Sequence, residues 1–161
     1  MENLPKVLES TAKIRFQDCD PFNHLNNAEY LNYMINARED QLIANYGIDI
    51  YEMARTQGKS WVVGSTQIAY LKPAFTMEDV KISSQLLHFT DSTLTVEMRM
   101  NGLAKNDLKA VMWSNFVHFN LLKQQREIHS QKFMNLFEQV TNPVAETTFE
   151  SRISTFRAQK V

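Results

Sequence analysis

The residues best suited to chemistry lie together in one stretch, RFQDCDPFNHLNNAEYLNYM, from Arg15 to Met34. Asp20 stands before Pro21, whose ring disfavours the helical region for the preceding residue, so Asp20 is expected to be extended as the chain leaves a strand. His24 follows four residues later, and histidine is a common general acid or base at active sites. A carboxylate and an imidazole this close together can act on a water molecule by acid–base catalysis.

The helix predicted after this loop can supply hydrogen-bond donors for the same reaction. Asn26 or Asn27 is placed to cap it, which leaves its first backbone N–H groups pointing outward at the positive end of the helix dipole. Such donors stabilise the oxyanion that develops during acyl transfer to water. Asp20 would attack the acyl group or activate water, while His24 would orient the water, hold the carbonyl or pair with the carboxylate.

Each of these residues also has a structural interpretation. Asp-Pro pairs are common in turns, Asn pairs before a helix are commonly caps, and loop histidines often only pack. An aspartate, a histidine and two asparagines in one loop keep a catalytic role open beside the structural one, because a cap alone does not need them all. Cys19 is a weaker candidate nucleophile, since strand alternation turns it away from Asp20 and no base is directed at it.

Two elements must position this loop. Residues from Thr11 to Gln17 alternate between apolar and polar types, which predicts a half-buried strand before it. After it, apolar residues follow a helical period from Asn26, and Gly47 is placed to end a long helix. A further short helix is predicted from Tyr51 to Gly58.

Four long strands are predicted next: KSWVVGSTQIAYL, DVKISSQLLHF, STLTVEMRM and DLKAVMWSNFVHFNL. The third alternates cleanly, so one of its faces should meet a core and the other water. The last is apolar on both faces, so its outer face should be covered. The order strand, long helix and four strands predicts an α+β domain whose five-stranded antiparallel sheet wraps around that helix.

Two amphipathic helices are predicted at the C-terminus. Their apolar stripes are Phe133, Leu136, Phe137 and Val140, then Phe149, Ile153 and Phe156. Apolar stripes of this size are rarely left exposed. The sequence is therefore divided into a domain over residues 1–128 and a helical extension over residues 129–161, which should pack on the same domain or on a subunit interface.

Composition narrows the classes of function. The chain has 161 residues and 43% hydrophobic content, which suits a single core. Its 17 basic and 18 acidic residues form no block of one sign, so no nucleic-acid partner is expected. One cysteine, no signal-peptide pattern and no apolar run of about 20 residues predict a cytoplasmic protein without a membrane span. No His-x-His or Cys-x-x-Cys spacing occurs, so neither a metal nor a cofactor is expected.

The stretch DCDPFNHLNNAEYLNY resembles the hot-dog-fold acyl-CoA thioesterases, specifically the 4-hydroxybenzoyl-CoA thioesterase family and the related plant acyl-carrier-protein thioesterases. The resemblance covers residues 9 to 122, including the order of elements and the stretch WVVGSTQIAYLKPAFTMEDV. It implies a hot-dog fold, in which the sheet wraps one long central helix, and hydrolysis of an acyl-CoA or acyl-carrier-protein thioester.

The resemblance also implies roles for individual residues. Asp20 matches the aspartate that acts as nucleophile or general base, and the Asn27 amide matches the helix N-terminal donor that polarises the thioester carbonyl. The stretch from His24 to Asn27 looks like the His-Val-Asn-Asn of the plant enzymes, whose histidine belongs to the active site. Those enzymes have an asparagine where this chain has Phe22, one residue before its own asparagine. The candidate substrate contacts are Asn23, Asn26, Tyr30, Tyr33 and Met34.

The family further implies a homodimer or homotetramer with each active site at a subunit boundary. Some members bind the coenzyme A phosphates through a basic cluster between the third and fourth strands, but the matching turn here, HFTDST, carries Asp91. Both acyl-CoA and acyl-carrier-protein substrates therefore stay open. The alternative function is a non-catalytic hot-dog protein that binds acyl thioesters or a protein partner. Hydratase or dehydratase chemistry on the same fold has no separate support in the sequence.

Overall fold

A computed structural model describes residues 3–159 of the chain. Its strands are β1 (Val7–Lys13), β2 (Lys59–Tyr70), β3 (Asp79–Phe89), β4 (Thr93–Gly102), β5 (Leu108–Asn120) and β6 (Gln125–Arg126). Its α-helices are α1 (Asn27–Tyr46), α2 (Ile50–Gln57), α3 (Gln131–Val140) and α4 (Phe149–Ala158). The antiparallel sheet has the order β1-β3-β4-β5-β2, and β6 pairs with β5.

The predicted α+β architecture, with five long strands and one long helix, is confirmed. The first strand differs from its prediction, because it ends at Lys13 and the chain then forms a 3₁₀ turn over Phe16–Asp18. The apolar alternation in the sequence continues past the end of the strand, which is why the prediction extended too far. Of its two apolar residues there, Ile14 is buried in the core, but Phe16 is 77% exposed. The short β6 was not predicted, since two residues are too few to show a period.

The main core lies between α1 and the inner face of the sheet. Tyr30 and Met34 of α1 pack there with Met98 of β4 and Met112 of β5, and all four side chains are buried. Gly47 ends α1 in the left-handed region at φ 66°, which favours glycine. The buried stripe of α1 therefore fixes the helix against the sheet and places its N-terminus at one edge of the domain.

Helix α3 packs beside α1 on this inner face, where Phe137 joins the main core. A pair of buried histidines lies next to it, with rings 5.1 Å apart. His129 Nε2 accepts a hydrogen bond of 3.0 Å from Trp61 Nε1, so its Nδ1 carries the proton toward Thr90 O, 3.1 Å away. His118 Nδ1 lies 3.1 Å from the carbonyl of Ser60. This packing requires His129 to be neutral.

Stability is therefore expected to fall as the pH drops below about 6.5, the ordinary pKa of histidine in an unfolded chain. Burial lowers the pKa of both His118 and His129 in the folded protein. As the pH falls, His118 and His129 bind protons in the unfolded chain before they do so in the folded protein. Their contribution to the free energy of unfolding is therefore complete above pH ~6.5 and is lost below it. Urea unfolding at pH 7.5 and pH 5.5 measures the effect. His129→Gln should reduce the pH dependence, while His88→Gln, at an exposed position, should leave it unchanged.

Helix α4 covers the outer face of β5. Its Phe149 and Ile153 pack on Val111, and the ring of Phe149 lies 5.6 Å from that of Trp113. This contact explains why the sequence of β5 is apolar on both faces. Both C-terminal helices thus pack on the sheet of their own chain, while the division of the sequence at residue 128 stays a prediction.

A buried ion cluster lies beneath α4. Glu97 of β4 is fully buried and accepts hydrogen bonds from Trp113 Nε1 at 2.7 Å and Arg99 Nη1 at 2.6 Å. Arg152 of α4 donates to both carboxylate oxygens of Glu97, each at 2.9 Å. The cluster ties α4 to the sheet by a bidentate charge-assisted pair, the strongest geometry for such a contact. No helix among residues 3–159 is long and apolar enough to cross a bilayer.

Candidate active site

The loop between the 3₁₀ turn and α1 is held by Asp20. One oxygen of its carboxylate, Oδ1, accepts hydrogen bonds from the backbone N–H of Phe22 at 2.8 Å and of His24 at 3.1 Å. The backbone N–H of Asp20 donates to the carbonyl of His24 at 2.8 Å. Asn23 occupies the left-handed region at φ 62°, which asparagine tolerates. No partner for the second oxygen, Oδ2, is found among the described residues, so that oxygen is available to a substrate or water.

The start of α1 lies beside this turn. Asn26 is the N-cap, and its side chain accepts the N–H of Ala28 at 3.2 Å. The carbonyl of Asn26 accepts the N–H of Glu29 at 2.8 Å. The N–H of Asn27 has no acceptor within residues 3–159, and the helix dipole places partial positive charge on it. Asn27 therefore presents a free donor at the entrance to the helix.

These groups open into one cleft of about 330 Å³. Four of the predicted site residues line it: Asp20, His24, Asn27 and Tyr30. Asp20, whose Oδ2 has no partner among the described residues, therefore borders the same cleft as His24 and as Asn27 at the start of α1. That arrangement provides a base or nucleophile together with a donor for a developing oxyanion.

Tyr70 and Lys72 also line the cleft and were not predicted as site residues. The Tyr70 hydroxyl donates to the carbonyl of Asn27 at 2.9 Å, and its ring lies 5.2 Å from that of Tyr30. Tyr70 is the last residue of β2 and Lys72 follows just after it, so both are far from the loop in sequence and reach α1 only through the tertiary structure. The sequence shows Tyr70 and Lys72 shortly before Pro73, but no spacing between them and Asp20 indicates that they share a site.

Tyr30 supports the wall of the cleft rather than reaching into it freely. Its side chain is buried, and its hydroxyl accepts the backbone N–H of Ala74 at 2.9 Å. The carbonyl of Ala74 in turn accepts the N–H of Leu25 at 2.7 Å. Burial raises the pKa of Tyr30, so its hydroxyl stays protonated at neutral pH. Tyr30 therefore joins the β2–β3 connection to the loop that Asp20 holds.

The ring of His24 stacks edge to face on Phe75 at 5.0 Å. His24 contacts Asp20 through its backbone, and no hydrogen bond of its ring is found among the described residues. The predicted pairing of imidazole and carboxylate is therefore not seen, although His24 lines the same cleft as Asp20. Cys19, the weaker candidate nucleophile, donates from Sγ to the carbonyl of Arg15 at 3.3 Å and does not line the cleft.

Four predicted substrate contacts do not line the cleft. The carbonyl of Asn23 accepts the N–H of Thr76, and Asn26 acts as the helix cap. The Tyr33 hydroxyl donates to Asp18, and burial together with that carboxylate raises the pKa of Tyr33 to about 12. Met34 is fully buried in the core. Each has a structural contact that accounts for it, and a role in substrate binding stays a prediction.

No cluster of His, Cys, Asp or Glu suited to a metal ion occurs in the described part of the chain.

Several solved structures share this fold, and some of them are named as thioesterases. The probable thioesterase YbaW of Escherichia coli matches 84% of this chain and 99% of its own, with a TM-score of 0.70 and 23% identity. A Staphylococcus aureus protein solved in complex with CoA matches 91% of this chain and 92% of its own, with a TM-score of 0.77 and 11% identity. The 12:0-ACP thioesterase of Umbellularia californica matches 90% of this chain and 54% of its own, with a TM-score of 0.74 and 13% identity.

The likeness to these structures confirms the predicted hot-dog fold. No curated protein matches the chain in sequence. The family model of the Thioesterase-like superfamily matches residues 14–146, which include the loop that Asp20 holds, the whole of β2 to β6 and α3. The narrower 4-hydroxybenzoyl-CoA thioesterase family stays a prediction. By this match over most of its length, the chain belongs to the Thioesterase-like superfamily.

Proposed function

We propose that this protein hydrolyses acyl thioesters in the cleft between the loop that Asp20 holds and the end of β2. The observation that carries the proposal is the pair of free groups on one cleft: a carboxylate oxygen of Asp20 and the unpartnered N–H of Asn27. Membership in the Thioesterase-like superfamily and the fold it shares with solved thioesterases support the same activity.

In the proposed reaction the thioester carbonyl oxygen accepts a hydrogen bond from the Asn27 amide. Negative charge grows on that oxygen in the transition state, where the helix N-terminus stabilises it most. Asp20 either attacks the carbonyl carbon, expelling the thiolate and leaving an anhydride that water cleaves, or removes a proton from the attacking water. His24 assists by orienting that water or by holding the carbonyl.

Single-turnover hydrolysis in water labelled with oxygen-18 separates these two routes. Direct attack by Asp20 places label in its side chain when water cleaves the anhydride at the aspartyl carbon, and mass spectrometry of the loop peptide detects it. General-base catalysis places label in the product acid alone.

Lys72 is the basic residue proposed to meet the carrier of the acyl group. Its side chain is exposed and lines both the cleft and a neighbouring groove of about 480 Å³. Coenzyme A and acyl carrier protein both present a phosphate on the far side of a pantetheine arm. A cation at this position suits either carrier, and hydrolysis of matched acyl-CoA and acyl-carrier-protein substrates decides between them.

We also propose that the working unit is at least a homodimer joined through β2. This strand pairs only with β5, so along its twelve residues the other edge is left without a partner among the described residues. Val63 on this strand is 55% exposed, and unpaired apolar edges are templates for association. Phe22 in the loop of Asp20 and Phe75 against His24 are also exposed, as expected where a second subunit packs near the cleft.

Val63→Lys is expected to convert the dimer to a monomer and to reduce thioester hydrolysis. The substitution places one lysine from each subunit at the proposed dimer interface. The two charges repel each other, and burying them costs free energy. Light scattering gives the mass, and thiol release gives the activity. Leu103→Lys is the matched control, because Leu103 is similarly exposed, at 50%, but lies in the β4–β5 turn. A Val63→Lys protein of unchanged mass would contradict the assignment of this edge.

A panel of acyl-CoA and acyl-carrier-protein thioesters, assayed by thiol release, tests the proposed activity. Turnover of any member supports hydrolysis and begins to define the acyl chain. Binding without turnover across the whole panel would favour the alternative, a hot-dog protein that only binds acyl thioesters or a partner.

A further inference from the structure

A second cavity, of about 80 Å³, lies between α1, α3 and the inner face of the sheet. Its walls are almost entirely apolar and include Leu86, Leu94 and Phe137. None of the residues that line the cleft of Asp20 lines this cavity. Arg38, eleven residues beyond the start of α1, is part of its wall. At 1.5 Å per residue this places Arg38 about 16 Å along the helix from Asn27.

Arg38 is a buried cation. Its side chain is 8% exposed, and Nη1 donates to Ser84 Oγ at 3.0 Å. Ser84 donates to the side-chain oxygen of Gln41, and Gln41 donates to the carbonyl of Ile82 at 3.0 Å. This chain of neutral groups fixes the position of the guanidinium but supplies no negative charge.

No carboxylate among residues 3–159 lies within ion-pair distance of Arg38. Glu39 also lines the cavity, but its carboxylate accepts the hydroxyl of Tyr51, an exposed residue of α2. Burial lowers the pKa of Arg38 to about 10, with the neighbouring Tyr46 acting in the opposite direction. Arg38 therefore stays charged at neutral pH while buried without a counter-ion, an arrangement that proteins rarely leave uncompensated.

We propose that this cavity binds a short-chain monocarboxylic acid, with its carboxylate on the guanidinium of Arg38 and its alkyl chain against Leu86, Leu94 and Phe137. A guanidinium has five N–H donors in a planar fork that matches a carboxylate, and Ser84 takes one of them. The apolar wall excludes strongly hydrated inorganic anions and favours an alkyl chain. An apolar cavity of about 150 Å³ accepts benzene, so a cavity of half that size suits an acid of three or four carbons.

Butyrate and propionate are the probes, and the intact protein is the receptor. Saturable binding is expected by ligand-observed NMR and by a rise in Tm with concentration. Butyramide, which has the same shape without the charge, should bind at least about tenfold more weakly, as expected for loss of a charge-assisted contact. Sodium chloride at equal ionic strength controls for salt effects on Tm.

Arg38→Met should lower butyrate affinity at least about tenfold, because it removes the cation and keeps the length of the side chain. Apolar replacements of buried ions are often tolerated, so this variant should fold. Leu94→Phe fills the cavity without touching Arg38 and should also weaken binding. Asp20→Asn should leave butyrate binding unchanged, which separates this site from the proposed active site.

Three results would overturn the proposal. The first is butyrate affinity that survives both Arg38→Met and Leu94→Phe. The second is a chloride effect equal to that of butyrate, which would make Arg38 a general anion site. The third is loss of binding in Asp20→Asn, which would place butyrate in the cleft. Because these readouts measure binding alone, they stand whether or not the protein hydrolyses thioesters.

Discussion

Asp20→Asn is expected to lower kcat for thioester hydrolysis at least about 10²-fold, within the range for loss of acid–base catalysis. The expectation rests on the different contacts of the two carboxylate oxygens of Asp20. Oδ1 holds the loop through the amides of Phe22 and His24, a task that an asparagine oxygen also performs. Asparagine cannot supply the second, negatively charged oxygen. Asp20→Asn should therefore keep the structure of the loop and lose most of the catalytic activity. Steady-state thiol release and circular dichroism measure the two effects.

Asp49→Asn is the matched control. Asp49 caps α2 by accepting the amides of Tyr51 and Glu52 at 3.0 and 3.1 Å, the same structural task that Asp20 performs in its loop. It does not line the cleft, so its replacement should leave kcat close to that of the wild-type protein. Near-normal turnover by Asp20→Asn would make the assignment of the active site wrong even though the fold is right.

Glu97→Gln is expected to destabilise the protein by about 3 kcal/mol, the range for breaking a buried ion pair from one side. For a domain of this size that corresponds to a fall in Tm of roughly 6–12 °C. The amide would place an N–H donor against the guanidinium groups of Arg99 and Arg152, leaving both without the buried charge that they now share. Urea and thermal unfolding measure the loss.

The surface pair of Lys81 and Glu9 provides the control for Glu97. Its atoms are 3.8 Å apart, and the Glu9 side chain is 54% exposed, so Glu9→Gln should cost less than about 1 kcal/mol. Partial proteolysis should also cut near α4 more readily in Glu97→Gln than in Glu9→Gln, because Arg152 is the contact that joins α4 to β4. Equal stability of the two variants would show that α4 is held by its apolar contacts alone.

The sequence by itself determined the local features of the molecule. Asn26 and Gly47 located the ends of α1, and alternation located the strands, because burial of one face of a strand imposes its period on the chain. The double apolar face of β5 predicted a cover, which α4 provides. The loop could be read in the same way, since the aspartate, the turn and the helix cap act within a few residues of one another.

Only the tertiary structure decided which side chains share a space. Tyr70 and Lys72 reach the cleft because β2 lies beside β5 in the sheet, while Met34 and Tyr33 leave it because α1 turns them toward the core and Asp18. Arg38 reads in sequence as an ordinary polar position of α1, yet it is buried. Such placements depend on contacts between residues distant in the chain, and the local periods that reveal helices and strands carry no information about those contacts.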